Sequence, residues 1–470
     1  MPKQTYRNSI SRRDFLKIAG GAAFAVAGAS AIPQVFRRVL RPVSVAEAQG
    51  TPPDLYFAGT DGWISMPPSP PIGFYFPDDL APPSLDTYIF GFRNITGLDA
   101  TQITNQKMKA QHSAPLFWVN EYNGSNEFRL QLTNLGLQIR PDLTDSHTVH
   151  WHGFRNIIAF YDGEPTGSVS VPVGRNFTYV FRPRDPGTYM YHCHVEDVEH
   201  VHMGMTGLVF VRPLQNGNTS LYPSGKYAYN DGDGSTGYDR EFAMFISEVW
   251  AEAHWCDSHI QLPDWSDYRA DFNLLNGRAY PDTVAPNAAL VLPGDVSQQS
   301  PDGNYYTVPY RRDGDGDLIG PDSRPDLQYQ PLSSLITCQP GERVLLRFAN
   351  LGFREAAMTM AGIQMRVIGR DATLMRGLSS SGLRDGADTS YETDTILIGA
   401  GESFDVIFTA PDFSGDSGSS GLGYDTYVLY NRRLTQVSNL SDGGFGGQRT
   451  EVRVYPGGLA SQQYPNDWGI

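Results

Sequence analysis

The sequence predicts an all-β protein of two sandwich or barrel domains, and three observations carry that expectation. Forty-nine glycines, 33 prolines and 12% aromatic residues favour a turn-rich chain. Short runs alternate apolar and polar residues, as in "NEFRLQLTNLG" and "NFTYVFRPRDPGTYMYH", the period of half-buried strands. No apolar pattern supports a helix of convincing length, and 470 residues suffice for two or three cores.

Taken in order, residues 1–48 read as an export leader. "SRRDFLK" is a twin-arginine pattern, followed by the apolar run "IAGGAAFAVAGASAI" and an A-x-A site at Ala46-Glu47-Ala48. That route carries folded proteins, so the expected destination is the periplasm, the cell surface or the medium. Residues 49–85 are Pro-rich and read as an extended arm without a regular element. A first β-rich domain is expected over 86–213, a Gly/Asn/Ser-rich linker over 214–239, a second β-rich domain over 240–458 and a short tail over 459–470. The net charge is −15, and the leader's eight Lys/Arg against Asp14 and Glu47 leave the remainder at −21. So acidic a body disfavours nucleic acid as a partner and favours cations near its surface.

The chemistry concentrates in "HTVHWHG" (147–153) and "YMYHCHVEDVEHVHMGMTG" (189–207). On a strand, alternate side chains share a face. His192 and His194 therefore lie opposite Cys193, and His150 and His152 lie opposite His147. One face can gather His147 and Cys193, the other His150, His152, His192 and His194. His200 and Met205 can fold back to complete two imidazoles, a thiolate and a weak thioether, the ligand set of blue copper. Zinc would gain little from the methionine. The all-imidazole face suits either metal, but Cys193 is covalently joined to both His192 and His194. That short electron route has a use with copper and none with zinc.

"TVHWHG", "PGTYMYHCH" and "HVHMGMTGLVFV" resemble the motifs of the multicopper oxidases, the cupredoxin family of laccases and ferroxidases. The resemblance implies two cupredoxin-like Greek-key domains. It implies type 1 copper on His147, Cys193 and His200 with Met205 axial, type 2 copper on His150, and a type 3 pair on His152, His192 and His194. Cys193 and His200 would carry electrons from a small-molecule or metal-ion donor, and dioxygen would be reduced to water. His202 and Met203 read as neighbours of the ligands, and Cys256 and Cys338 could pair in an oxidising compartment.

Two departures from the family pattern matter. His200 lies seven residues after Cys193, where five is usual, and the longer loop carries Glu196, Asp197 and Glu199. These read either as a solvated acidic loop or as a docking site for Fe(II), Mn(II) or Cu(I). In the second domain, "AAMTMAGIQMRVIG" (356–369) aligns with the family's "HPMHLHGHPFRVIG", leaving Ala356, Thr359 and Ala361 in histidine places. A trinuclear centre in this family takes eight histidines, and four are present. The expectation is a copper oxidase completed by a second copy or a partner cupredoxin chain. Alternatives are an exported blue-copper electron carrier and an enzyme like copper nitrite reductase. The "DGDGD" run (313–317) lacks the glycine and distant glutamate of a calcium loop.

Overall fold

The computed structural model describes residues 52–291, 305–380, 384–415, 421–440 and 445–467. The first half contributes β1 (Leu55–Ile64), β2 (Thr87–Asn94), β3 (Phe117–Asn120), β4 (Phe128–Asn134), β5 (His150–His152), β6 (Asn176–Phe181), β7 (Gly187–His192) and β8 (Thr206–Arg212). The second contributes β9 (Arg240–Val249), β10 (Phe272–Leu275), β11 (Tyr305–Thr307), β12 (Ile336–Cys338), β13 (Arg343–Asn350), β14 (Ala356–Met360) and β15 (Met365–Arg370). Then come β16 (Thr373–Leu374), β17 (Tyr391–Thr393), β18 (Thr395–Ile398), β19 (Ser403–Thr409), β20 (Asp425–Asn431) and β21 (Arg449–Val454). The α-helices are short: α1 (Ala100–Thr104), α2 (Asp197–His202) and α3 (Ala251–Ser258).

The described strands make two sandwiches. In the first, the sheet β2-β1-β4-β6 faces the sheet β11-β3-β8-β7-β5 across a core that includes Phe57, Phe117, Leu130, Trp151, Tyr191 and Val209. Alternation places these side chains: in β4, Phe128, Leu130 and Leu132 are buried, while Arg129, Gln131 and Thr133 are partly exposed. In the second, the sheet β10-β9-β13-β19-β15-β16, with β17 on β15, faces β12-β21-β20-β14-β18. Phe242, Leu346, Met358, Met365, Val406 and Leu429 belong to that core. The sandwiches also pack on each other, joining Met190, Leu208 and Phe210 to Ala243, Phe245 and Ala349.

Three expectations require correction. The arm assigned to residues 49–85 holds β1, which pairs with β2 and β4 inside the first sandwich. Its polar residues hid it: Asp61 is buried, but its carboxylate accepts from Tyr88 Oη at 2.7 Å and from the Gln138 and Ile139 N–H groups at 2.6 and 2.9 Å. The linker assigned to 214–239 is packed rather than free, because Tyr227, Ala228, Tyr229 and Tyr238 are buried. Three of them pack with Leu345 and Ile368. The boundary at 240 is crossed as well, since β11 extends the first sandwich through β3.

The tail is tied down by Gln462 and Asn466, which hydrogen-bond the backbone of β9 at Glu241 and Ala243. Cys256 and Cys338 are buried and free, so they form no disulfide. The leader, residues 1–48, lies outside the described residues.

Candidate metal centre

β5 pairs with β7 so that His150 stands opposite His192 and Trp151 opposite Tyr191. Trp151, Tyr191 and Cys193 enter the core between the sheets, and the alternate positions face outward. The two-face division expected from parity is therefore the arrangement found.

On the inner face, His147, Cys193, His200 and Met205 have no exposed surface. Cys193 Sγ lies 3.3 Å from His200 Nδ1 and 4.0 Å from His147 Nδ1, and the three ligand atoms lie within 4.8 Å of one another. The return of Met205 is fixed by backbone bonds, from Met205 N–H to His200 C=O at 2.9 Å and from Cys193 N–H to Met205 C=O at 3.0 Å. Gly204, at φ +120°, makes that return possible, because a Cβ there would sit 2.7 Å from Phe90 O and 2.9 Å from His112 Nδ1. The Thr148 N–H points at the sulfur from 3.5 Å.

The electrostatics suit a thiolate. Burial opposes the charge on Cys193, but His200 and His147 pull its pKa well below the ordinary thiol range. Burial likewise pushes His200 down, but Cys193 and Asp145, 3.6 Å from His200 Nε2, lift it to about 10. A buried thiolate with two converging Nδ1 atoms fits copper: the cation would displace the imidazolium proton and neutralise the sulfur.

On the outer face, the rings of His150, His152, His192 and His194 are neighbours. Centroids lie 4.9 Å apart for His150 and His194, 5.1 Å for His150 and His192, and 5.5 Å for His192 and His194. Backbone carbonyls hold three of the rings: Asp162 O meets His150 Nδ1 at 2.8 Å, Cys193 O meets His192 Nδ1 at 2.7 Å, and Gly401 O meets His152 Nε2 at 3.0 Å. Burial lowers His150 and His152, and brings His192 to about 3. Burial thus favours the neutral form of His150, His152 and His192, the state that binds metal. A cavity of about 250 Å³ opens beside His152, lined also by Thr188, Met190, Asp371 and Ser403.

The acidic loop is partly helical. Its second half is α2, which carries both Glu199 and His200. Glu196 and Asp197 are exposed, whereas Glu199 is half-buried. Burial raises Glu199, which senses Asp145 and Arg140. Arg140 binds Asp257 at 2.8 Å and Asp142 at 3.0 Å, and burial together with Glu199 raises Asp257 to about 8. Sequence reasoning missed Gly59, Arg140, Asp145 and Asp257. Gly59 comes from the unrecognised β1, and a Cβ there would lie 2.8 Å from His147 Cδ2 and 3.4 Å from Met205 Cε.

The second half offers no matching imidazoles. Ala356 is buried in its core, Thr359 Oγ1 bonds Thr395 Oγ1 at 2.8 Å, and Ala361 is exposed. In the DGDGD turn, Asp317 pairs with Lys109 and, at 3.5 Å, with Arg93, so protein cations already serve it.

Paired β-sandwiches, one with a buried His-Cys-His set, define the class as cupredoxin-like. Residues 105–216 and 320–416 each match the multicopper oxidases. The laccase-like multicopper oxidase 1 of Thermothelomyces thermophilus is 27% identical over 317 residues, covering 62% of this chain and 42% of that protein. Copper resistance protein A of Escherichia coli is 23% identical over 335 residues, covering 66% and 48%. The chain spans less than half the length of these curated relatives.

In fold, the chain is similar to the blue copper oxidase of Nitrosomonas europaea (TM-score 0.51, 17% identity, 85% of each chain). It is also similar to the multicopper oxidase mgLAC (TM-score 0.53, 19% identity, 85% of each chain). Over residues 105–216 and 320–416 the chain is similar to the multicopper oxidases, and its buried His-Cys-His set suits copper.

Proposed function

We propose that this protein is an exported oxidoreductase that takes electrons singly from a phenolic or metal-ion donor and delivers them to dioxygen. His147, Cys193, His200 and Met205 would hold type 1 copper, with His150, His152, His192 and His194 holding type 2 and type 3 copper. Copper, when bound, supplies the one-electron chemistry. The protein excludes water from the thiolate, donates the Thr148 N–H toward it, and sets the outer imidazoles with backbone carbonyls. The observation that carries this reading is that consecutive residues at the end of β7, His192, Cys193 and His194, serve both faces.

Four outer imidazoles are half of a trinuclear set, so a second chain completes it. Symmetric pairing of two first sandwiches predicts about 2.5 coppers per chain, with oxygen uptake lost on dilution to monomer. Metal analysis and an oxygen electrode across a dilution series test it. Undiminished reduction of oxygen to water by a monomer contradicts the pairing. The second reading, an exported blue-copper electron carrier, is favoured by the Gly401 carbonyl already bonded to His152. It predicts at most one firmly held copper per chain and no oxygen uptake. Twin-arginine export would place either protein in the periplasm, on the cell surface or in the medium.

A further inference from the structure

Next to the inner face, the second half lays an aromatic cap over α2. His202, two residues from His200, is fully enclosed, with ring centroids 5.5 Å from Tyr268, 5.6 Å from Trp265 and 5.3 Å from Phe353. Phe353 is 37% exposed, and Trp265 and Tyr268 are partly exposed, so the cap runs from solvent to the helix that carries His200. The Trp250 N–H donates to His202 Nε2 at 3.0 Å, which fixes the ring. Tyr268 differs from its neighbours because its hydroxyl donates to Glu248, which is only 3% exposed.

Oxidising a phenol in a protein is far easier when a base takes its proton as the electron leaves. A buried carboxylate on the hydroxyl is such a base, and burial raises Glu248 above the usual carboxylate range. The Arg354 guanidinium, 5.8 Å from the Tyr268 ring centroid, disfavours a positively charged radical and favours the neutral one. Trp250 is fully buried and its indole N–H meets no acceptor, so it has neither donor access nor a proton outlet.

We infer that Tyr268 is a redox-active tyrosine that relays electrons from surface donors to the inner copper, with Glu248 as its proton acceptor. The inference rests on the copper reading of the inner face. In the forward step the Tyr268 O–H bond breaks, the proton passes to Glu248 Oε2, and one electron leaves through His202 and α2 toward the inner site, where bound Cu(II) would take it up as Cu(I). In the return step a phenolic or ferrous donor gives one electron to the neutral tyrosyl, Glu248 returns the proton, and the O–H bond re-forms.

The test is laser flash-quench oxidation of the copper-loaded, reduced full-length protein by a dissolved ruthenium(III) polypyridyl. The wild type is expected to show a tyrosyl transient whose decay matches growth of the blue Cu(II) band. Tyr268→Phe should remove the transient and slow that growth at least about tenfold. Glu248→Gln should lower the tyrosyl yield and remove its isotope effect in D2O, while Trp265→Phe keeps both. With the blue band intact, equal growth rates in wild type and Tyr268→Phe overturn the relay, and slowing by Trp265→Phe alone overturns its assignment to tyrosine. A copper-loaded protein with no blue band overturns the copper reading, and the relay falls with it for want of an acceptor.

Discussion

At the scale of residues, the inner face depends on what is absent as much as on what is present. Gly59 abuts His147 and Met205, so Gly59→Ala pushes a methyl against the ring from 2.8 Å. Overpacking of this kind costs about 1–3 kcal/mol. The variant should unfold at lower temperature and show a shifted or weakened blue band, checked by thermal denaturation and absorption. An unchanged band would show that the ring does not need that space.

A second residue sets a pH dependence away from the metal ligands. Burial raises Asp86 to about 7, against hydrogen bonds from the Met66 N–H at 3.0 Å and Thr87 Oγ1 at 2.8 Å. Because the folded pKa lies above the unfolded one, the folded protein holds the extra proton. Its contribution to stability is complete below about pH 4 and is lost as pH rises through about 7, by at most about 4 kcal/mol. Asp86→Asn should flatten the fall in thermal stability across that window relative to wild type; parallel slopes would contradict it.

At the scale of elements, α2 turns a longer loop into two different acidic surfaces. Glu196 and Asp197 are exposed beside His200, so Glu196→Gln with Asp197→Asn should lower kcat/KM for Fe(II) or Mn(II) several-fold and spare an uncharged phenol. Equal loss for every donor, or none, would leave them as solvated charges. Glu199 faces Arg140, Asp145 and Asp257 instead, and Glu199→Gln should change thermal stability more than donor preference.

The elements also show where the sequence was legible. Alternation along β5 and β7, continued into the residues that flank them, sorts His147, His150, His152, His192, Cys193 and His194 to their faces, because parity on a strand is local. β1 was illegible because Thr60 and Asp61 are polar yet buried, and their partners lie far along the chain: Gly136 for Thr60, and Tyr88, Gln138 and Ile139 for Asp61. Arg140, Asp145 and Asp257 carry no spacing signal, since only folding brings α3 to the loop before β5. The segment 214–239 looked like a linker by composition, yet tyrosines supply what its glycines lack and anchor it on β13 and β15.

At the scale of the molecule, the second half carries Ala356, Thr359 and Ala361 where the family pattern has histidines, and it contributes in other ways. It supplies the Gly401 carbonyl to His152, the aromatic cap over α2, and the buried pair of Arg347 with Glu241 and Asp405. Arg347→Met would leave buried Asp405 without its cation, while Glu241 keeps Arg212, and should cost about 3–5 kcal/mol in equilibrium unfolding. A loss under about 1 kcal/mol would show Asp405 to be neutral or otherwise satisfied.

The central claim, that the inner face is a blue-copper site, is tested most directly by the absorption spectrum of the copper-loaded protein beside its Cys193→Ser variant. The wild type should absorb strongly near about 600 nm, the thiolate-to-Cu(II) band of a His2Cys site, and the variant should lose that band while still folding. A fully copper-loaded wild type without the band, or a variant that keeps it, would contradict the account.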